Sequence, residues 1–150
     1  GFMRCLVQRV KEASVSVSGN VIGAIEKGYL ILLGVSQTDT EEVADKMLKK
    51  VLDARLFEDE NGKTNLSIRD VSGSLLVVSQ FTLYADTRRG NRPSFINAGA
   101  PDHANALYEY FCKKAEEQGM PLAHGQFGAD MQVALINDGP FTIMYDSDLM

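Results

Sequence analysis

Five consecutive apolar residues, Tyr29-Leu30-Ile31-Leu32-Leu33, bracketed by Gly28 and Gly34, restrict the fold more than any other feature of the chain. Successive side chains of a strand point to opposite faces, so a run that is apolar at every position needs cover on both sides. The run is far short of the ~20 residues that a membrane-crossing helix needs. It therefore reads as a strand inside a sheet. Just before it the pattern changes. From Ala13 to Ser18, Val15 and Val17 fall on one face and Ser14, Ser16 and Ser18 on the other. Gly19-Asn20 is a turn dipeptide and Val21 to Ile25 follows, which predicts a hairpin.

The spacing then switches to that of a helix. Thr38 with Glu41, and Asp39 with Glu42, offer capping-box pairs. Val43, Met47 and Val51, with Ala44, Leu48 and Leu52, form one apolar stripe. Leu56-Phe57 reads as a strand before the turn Asp59 to Gly62, and Ser74 to Ser79 as a central strand. Pro101 to Gln118 predicts a second helix, opened by proline and stopped by Gly119 and Pro121. Two last strands, Met131 to Ile136 and Phe141 to Tyr145, flank a turn at Asn137-Asp138-Gly139-Pro140. Many strands and two main helices out of strict alternation imply an α+β fold, a curled or barrel-like and mostly antiparallel sheet. With 150 residues and no repeat or linker, one domain over residues 3–150 is expected; Gly1-Phe2 ahead of Met3 reads as an expression scar.

Several chemistries are disfavoured. The two cysteines, Cys5 and Cys112, and the two histidines, His103 and His124, have no metal-ligand spacing. They read as free thiols and isolated imidazoles, with no metal and no cofactor expected. There is no nucleophile elbow, no zinc-protease helix motif and no phosphate-binding glycine loop. A net charge of −5 argues against gripping a long nucleic-acid backbone, DNA in particular, and no membrane association is expected. It leaves room for reading a short end. The one basic cluster, Arg88, Arg89 and Arg92, reads either as a solvated loop or as a phosphate contact near a pocket.

Two segments stand out. Ser79-Gln80-Phe81-Thr82-Leu83 places hydroxyl, amide and main-chain N–H groups at the end of an apolar strand. Asn137-Asp138-Gly139-Pro140-Phe141-Thr142 is a polar turn after GADMQVALI. Together with GYLILLGV, KTNLSIRDV, YADTRRGNRPSF and ALYEYF, in that order, they make the chain resemble the D-aminoacyl-tRNA deacylases over nearly its whole length. The resemblance implies a cytoplasmic homodimer that hydrolyses the ester of D-aminoacyl-tRNA, and also mischarged glycyl-tRNA. It implies a cis Gly139–Pro140 bond in a loop donated across the subunit boundary. There, main-chain oxygens would exclude an L side chain. It implies that the N–H groups of Phe81 and Thr82 form an oxyanion hole, with the terminal 2′-OH of the tRNA assisting attack by water. Ser79, Gln80, Leu83, Met131, Asn137, Gly139, Pro140 and Thr142 would bind substrate, and Arg9 would brace the loop. Phe141 is bulkier than the resemblance leads one to expect after Gly-Pro. A rival reading is a non-catalytic β-barrel module that binds RNA ends, with Phe81 and Tyr84 as stacking aromatics.

Overall fold

The computed structural model describes residues 2–150. Eight strands and two helices follow in the order β1 (Arg4–Val17), β2 (Asn20–Ile25), β3 (Gly28–Gly34), α1 (Glu41–Asp53), β4 (Phe57–Glu58), β5 (Thr64–Leu66), β6 (Ser74–Ser79), α2 (Pro101–Glu117), β7 (Leu122–His124) and β8 (Met131–Asp146). The main sheet runs β2-β1-β3-β6-β7, and β8 pairs with β1 on the other side. The contacts of β1 are antiparallel, whereas β3–β6 and β6–β7 are parallel, so the sheet is mixed. It curls until its two ends nearly meet. At Gly23 in β2 an added Cβ would stand 3.0 Å from the main-chain oxygen of His124 in β7, so this near closure requires glycine.

The curl creates two apolar layers. Tyr29, Ile31 and Leu33 face outward from the barrel with Cys5, Val7, Leu75 and Val77, and α1 and α2 cover them through Met47, Leu48, Val51, Leu107 and Phe111. Leu30 points inward with Val10, Val15, Leu76 and Val78 to fill the barrel. This double cover is why β3 is apolar at every position. The Gly1 part of the expected scar lies outside the described residues; Phe2 packs on the Tyr84 ring with centroids 5.5 Å apart. Both thiols are buried and free, and burial pushes them up, that of Cys112 to about 12.

Several local expectations need correction. The hairpin turns at Ser18 and Gly19, both with positive φ, one residue earlier than expected, and Asn20 is already paired with Val17. Thr40, not Thr38 or Asp39, caps α1, its hydroxyl accepting from the N–H of Val43 at 3.3 Å. Asp39 instead turns inward and accepts the N–H of Ser36 at 2.7 Å. His124 ends the short strand β7. The largest difference concerns the end of the chain. Met131–Ile136 and Phe141–Tyr145 are not two strands about a tight turn but parts of one strand, β8, running along the same neighbour. Gln8 pairs with Thr142 and Val10 with Asn137, so Arg9 alone stands opposite the four residues 138–141. These residues bulge from the ladder.

Candidate active site

An apolar cavity of about 590 Å³ opens beside the end of β6. Val35, Val78, Phe81, Phe95, Phe127, Met131 and Val133 supply its greasy walls, and Ser79 and Gln80 its polar rim. A cavity of this size, apolar with few convergent polar groups, has the form of a small-molecule or nucleoside site. Neither histidine lines it, and among the described residues no Lys or Arg does.

The chain leaves β6 at Ser79 and tightens into a 3-10 turn over Phe81–Tyr84. The Gln80 N–H still donates to Leu33 O at 2.8 Å, continuing the bonding between β3 and β6. The Leu83 N–H reaches back to Gln80 O at 3.3 Å, and the Ala85 N–H to Thr82 O at 3.1 Å. Between them the N–H groups of Phe81 and Thr82 have no acceptor among the described residues, as expected where a helical turn begins. Both residues are exposed. The site thus offers two adjacent main-chain donors at the rim of an apolar cavity. The Thr82 hydroxyl accepts from the Gln80 side-chain amide, and no basic group stands against it. From behind, Tyr84 fixes the turn. Its buried hydroxyl lies 2.8 Å from Gly34 O and 2.6 Å from Phe2 O, and the Arg4 guanidinium donates to Leu83 O at 2.5 Å.

The bulge of β8 is built differently. Arg9 is buried, donating from Nε to Asp138 O at 2.9 Å and from Nη1 to Leu56 O at 2.6 Å. Its guanidinium lies 4.7 Å from the centre of the Phe141 ring, so the bulky residue after Gly-Pro forms a cation–π floor under the brace. Asn137 closes the base of the bulge. Its Oδ1 accepts the Phe141 N–H at 2.6 Å, and its Nδ2 donates to Thr142 Oγ1 at 2.8 Å. Gly139 has φ +143°, and a Cβ there would meet Phe141 N at 3.0 Å and an Arg9 nitrogen at 3.2 Å, so only glycine fits. The Gly139–Pro140 bond is cis. Both residues are exposed.

Of the residues singled out from sequence, Ser79, Gln80, Phe81 and Met131 line the cavity. Thr82 lies beside them on the turn. Leu83, its carbonyl tied to Arg4, does not line the cavity, nor do Asn137, Gly139, Pro140 and Thr142 line the cavity of their own chain. Sequence reasoning missed Phe95, Ala98, Gly99, Pro101, Ala104 and Phe127. One signal was present: Gly99 stands where a Cβ would lie 3.0 Å from Ser36 O, so the small residues before α2 mark a close approach.

The chain is similar to known proteins over nearly its whole length. The family model described as D-Tyr-tRNA(Tyr) deacylase matches residues 6–146. A D-aminoacyl-tRNA deacylase from Clostridioides difficile (strain 630) is 55% identical over 145 residues, 97% of each chain. One from Shewanella baltica (strain OS155) is 59% identical over 140 residues, 93% of this chain and 97% of that one. Among solved structures, a c-Myc DNA Unwinding Element Binding Protein superposes with a TM-score of 0.90 at 41% identity, covering 95% of this chain and 97% of its own. A probable eukaryotic D-amino acid tRNA deacylase shares the fold, with a TM-score of 0.86 at 18% identity over 97% of this chain and all of that one.

Proposed function

This chain belongs to the D-Tyr-tRNA(Tyr) deacylase family and is a deacylase of D-aminoacyl-tRNA, and we propose that it works with main-chain groups alone. The observation that carries this reading is the pair of unengaged N–H groups of Phe81 and Thr82 at the rim of an apolar cavity that has no histidine in its lining. The terminal adenosine enters the cavity, against Met131 and the polar groups of Ser79 and Gln80. The ester carbonyl then lies against the two N–H groups. Water adds to the carbonyl carbon, and the tetrahedral oxyanion takes both hydrogen bonds. The bond to the ribose 3′-oxygen breaks, a proton passes to that oxygen by way of the neighbouring 2′-OH, and free amino acid and tRNA leave. One oxyanion donor is worth roughly 10²–10³ in rate, which for an ester already labile makes a protein base unnecessary.

Chirality is read by the Gly139–Pro140 segment of a second subunit. Gly139 and Pro140 are exposed, outside the cavity of their own chain, and carried by β8, which among the described residues pairs only with β1. Its free edge and the exposed Ile136 and Met144 support a homodimer. Carbonyl oxygens set against the α-carbon leave no room for the Cβ of an L-residue, while a D side chain points to solvent. Selectivity by exclusion needs no affinity for any particular side chain. Glycine, with nothing to exclude, is hydrolysed too, so glycyl-tRNA is a second substrate. The reading places the protein in the cytoplasm, where tRNA is charged.

Incubation with D-Tyr-tRNA and L-Tyr-tRNA tests it. Tyrosine is released from the D-ester only; equal release from both, or from neither, overturns the reading. A non-catalytic RNA-end module would bind both and release nothing.

A further inference from the structure

Beside the cavity, Asp86 and Ser94 pair through two main-chain bonds, Asp86 N–H to Ser94 O at 2.7 Å and Ser94 N–H to Asp86 O at 2.9 Å. They close a loop, residues 87–93, exposed along its whole length beside the wall of the site. Its root is anchored in that wall. Phe95 follows Ser94 directly, lines the cavity, and meets the Phe81 ring edge-on with centroids 5.1 Å apart. The loop holds three arginines, and they divide. Arg88 is engaged within the loop: its guanidinium donates to both Asp86 oxygens, at 3.0 and 2.7 Å, and its N–H donates to the same carboxylate. Arg89 and Arg92 are exposed, and among the described residues neither has a carboxylate within ion-pair distance.

We propose that Arg89 and Arg92 grip phosphodiester groups of the tRNA acceptor strand as it leaves the cavity, and so position the terminal adenosine. The inference rests on the deacylase reading above and adds the residues that hold the rest of the substrate. In a chain of net charge −5, two uncompensated cations on one loop beside the site wall form a local attraction for a polyanion. Reach agrees. Arg92 is three residues from Phe95, so its Cα stands within about 11 Å of the cavity wall, close to the first phosphates inward from the bound end. A guanidinium presents paired donors that match phosphate oxygens. Contacts of this kind fix register without reading sequence.

The test compares the wild type with Arg89→Gln/Arg92→Gln and with Arg88→Gln. Uncharged tRNA binding is followed across a salt series, and kinetics are measured on D-Tyr-tRNA and on 3′-O-D-tyrosyl-adenosine, which has no phosphate. In the double variant the slope of log affinity against log salt becomes shallower by about 1.4 to 1.8, at 0.7 to 0.9 per phosphate contact. KM for D-Tyr-tRNA rises roughly tenfold with kcat kept, and turnover of the adenosine ester is unchanged. Arg88→Gln keeps the wild-type salt slope. An unchanged slope in the double variant, or an equal loss on the adenosine ester, overturns the proposal. Failure of the wild type to release tyrosine from D-Tyr-tRNA would instead overturn the deacylase reading, and the slope for uncharged tRNA still decides whether the arginines hold phosphate.

Discussion

The turn at Phe81–Tyr84 and the bulge at residues 138–141 are the two walls of the proposed reaction chamber, and they are held in opposite ways. The turn is an extension of the sheet. Its working groups are its own N–H donors, placed by the last bonds of β3 to β6 and by Tyr84 buried behind them. The bulge is a departure from the sheet, and two side chains hold it: Arg9 across the ladder and Asn137 at its base. The contrast teaches where each wall is vulnerable. The turn should tolerate changed side chains and fail when its main chain is altered. The bulge should fail when the side chains that hold its shape are removed.

Four experiments strain this contrast, in falling order of effect. Replacing the Thr82 main-chain N–H by an ester oxygen, side chain intact, should lower kcat by roughly 10²–10³ on D-Tyr-tRNA. A change below threefold would remove the oxyanion hole from the account. Arg9→Met should cost about 2–3 kcal/mol in urea unfolding, because Asp138 O and Leu56 O lose a charged donor. It should also cut deacylation about 100-fold, as expected for a displacement near 1 Å. Asn137→Ala frees the base of the bulge while leaving the Arg9 brace. Stability should fall about 1–2 kcal/mol, and hydrolysis of L-Tyr-tRNA should rise before that of D-Tyr-tRNA is lost. Unchanged selectivity would detach the bulge from chirality. Thr82→Ala should keep activity within about tenfold, since only a contact with the Gln80 amide disappears; a complete loss would instead make the hydroxyl a nucleophile.

What could be read from the residues follows the same line. The double-sided cover of β3, the stripe on α1 and the proline that opens α2 are local patterns that set their own outcome, and the structure has them. The α1 cap was displaced because Asp39 is recruited to Ser36, a contact that spacing does not reveal. The two final strands merged because a dipeptide such as Gly139-Pro140 reads as a turn in isolation. Only the partner β1, which continues past the interruption, makes it a bulge. The polar end of β6 was legible as a place for chemistry, but its 3-10 turn was not. The apolar floor was legible least. It is gathered from Val35 just after β3, from β6, α2 and β8, and from the segments before and after α2, and no short stretch of sequence carries its outline.

The pairing of β1 with β8 bears on how the molecule comes into being. Arg4 is matched to Asp146 and Val17 to Met131, so β1 finds its long neighbour only when β8, more than a hundred residues later, has been made. Contacts this distant along the chain are slow to form. A nascent polypeptide halted before β8 leaves one whole flank of β1 with open hydrogen-bonding groups, an invitation to aggregate. It also lacks Met131 and the bulge that Arg9 braces. Partial products of translation therefore lack the Gly139–Pro140 bulge as well as cover for β1, and the wall proposed to read chirality comes into being only as β8 is laid down.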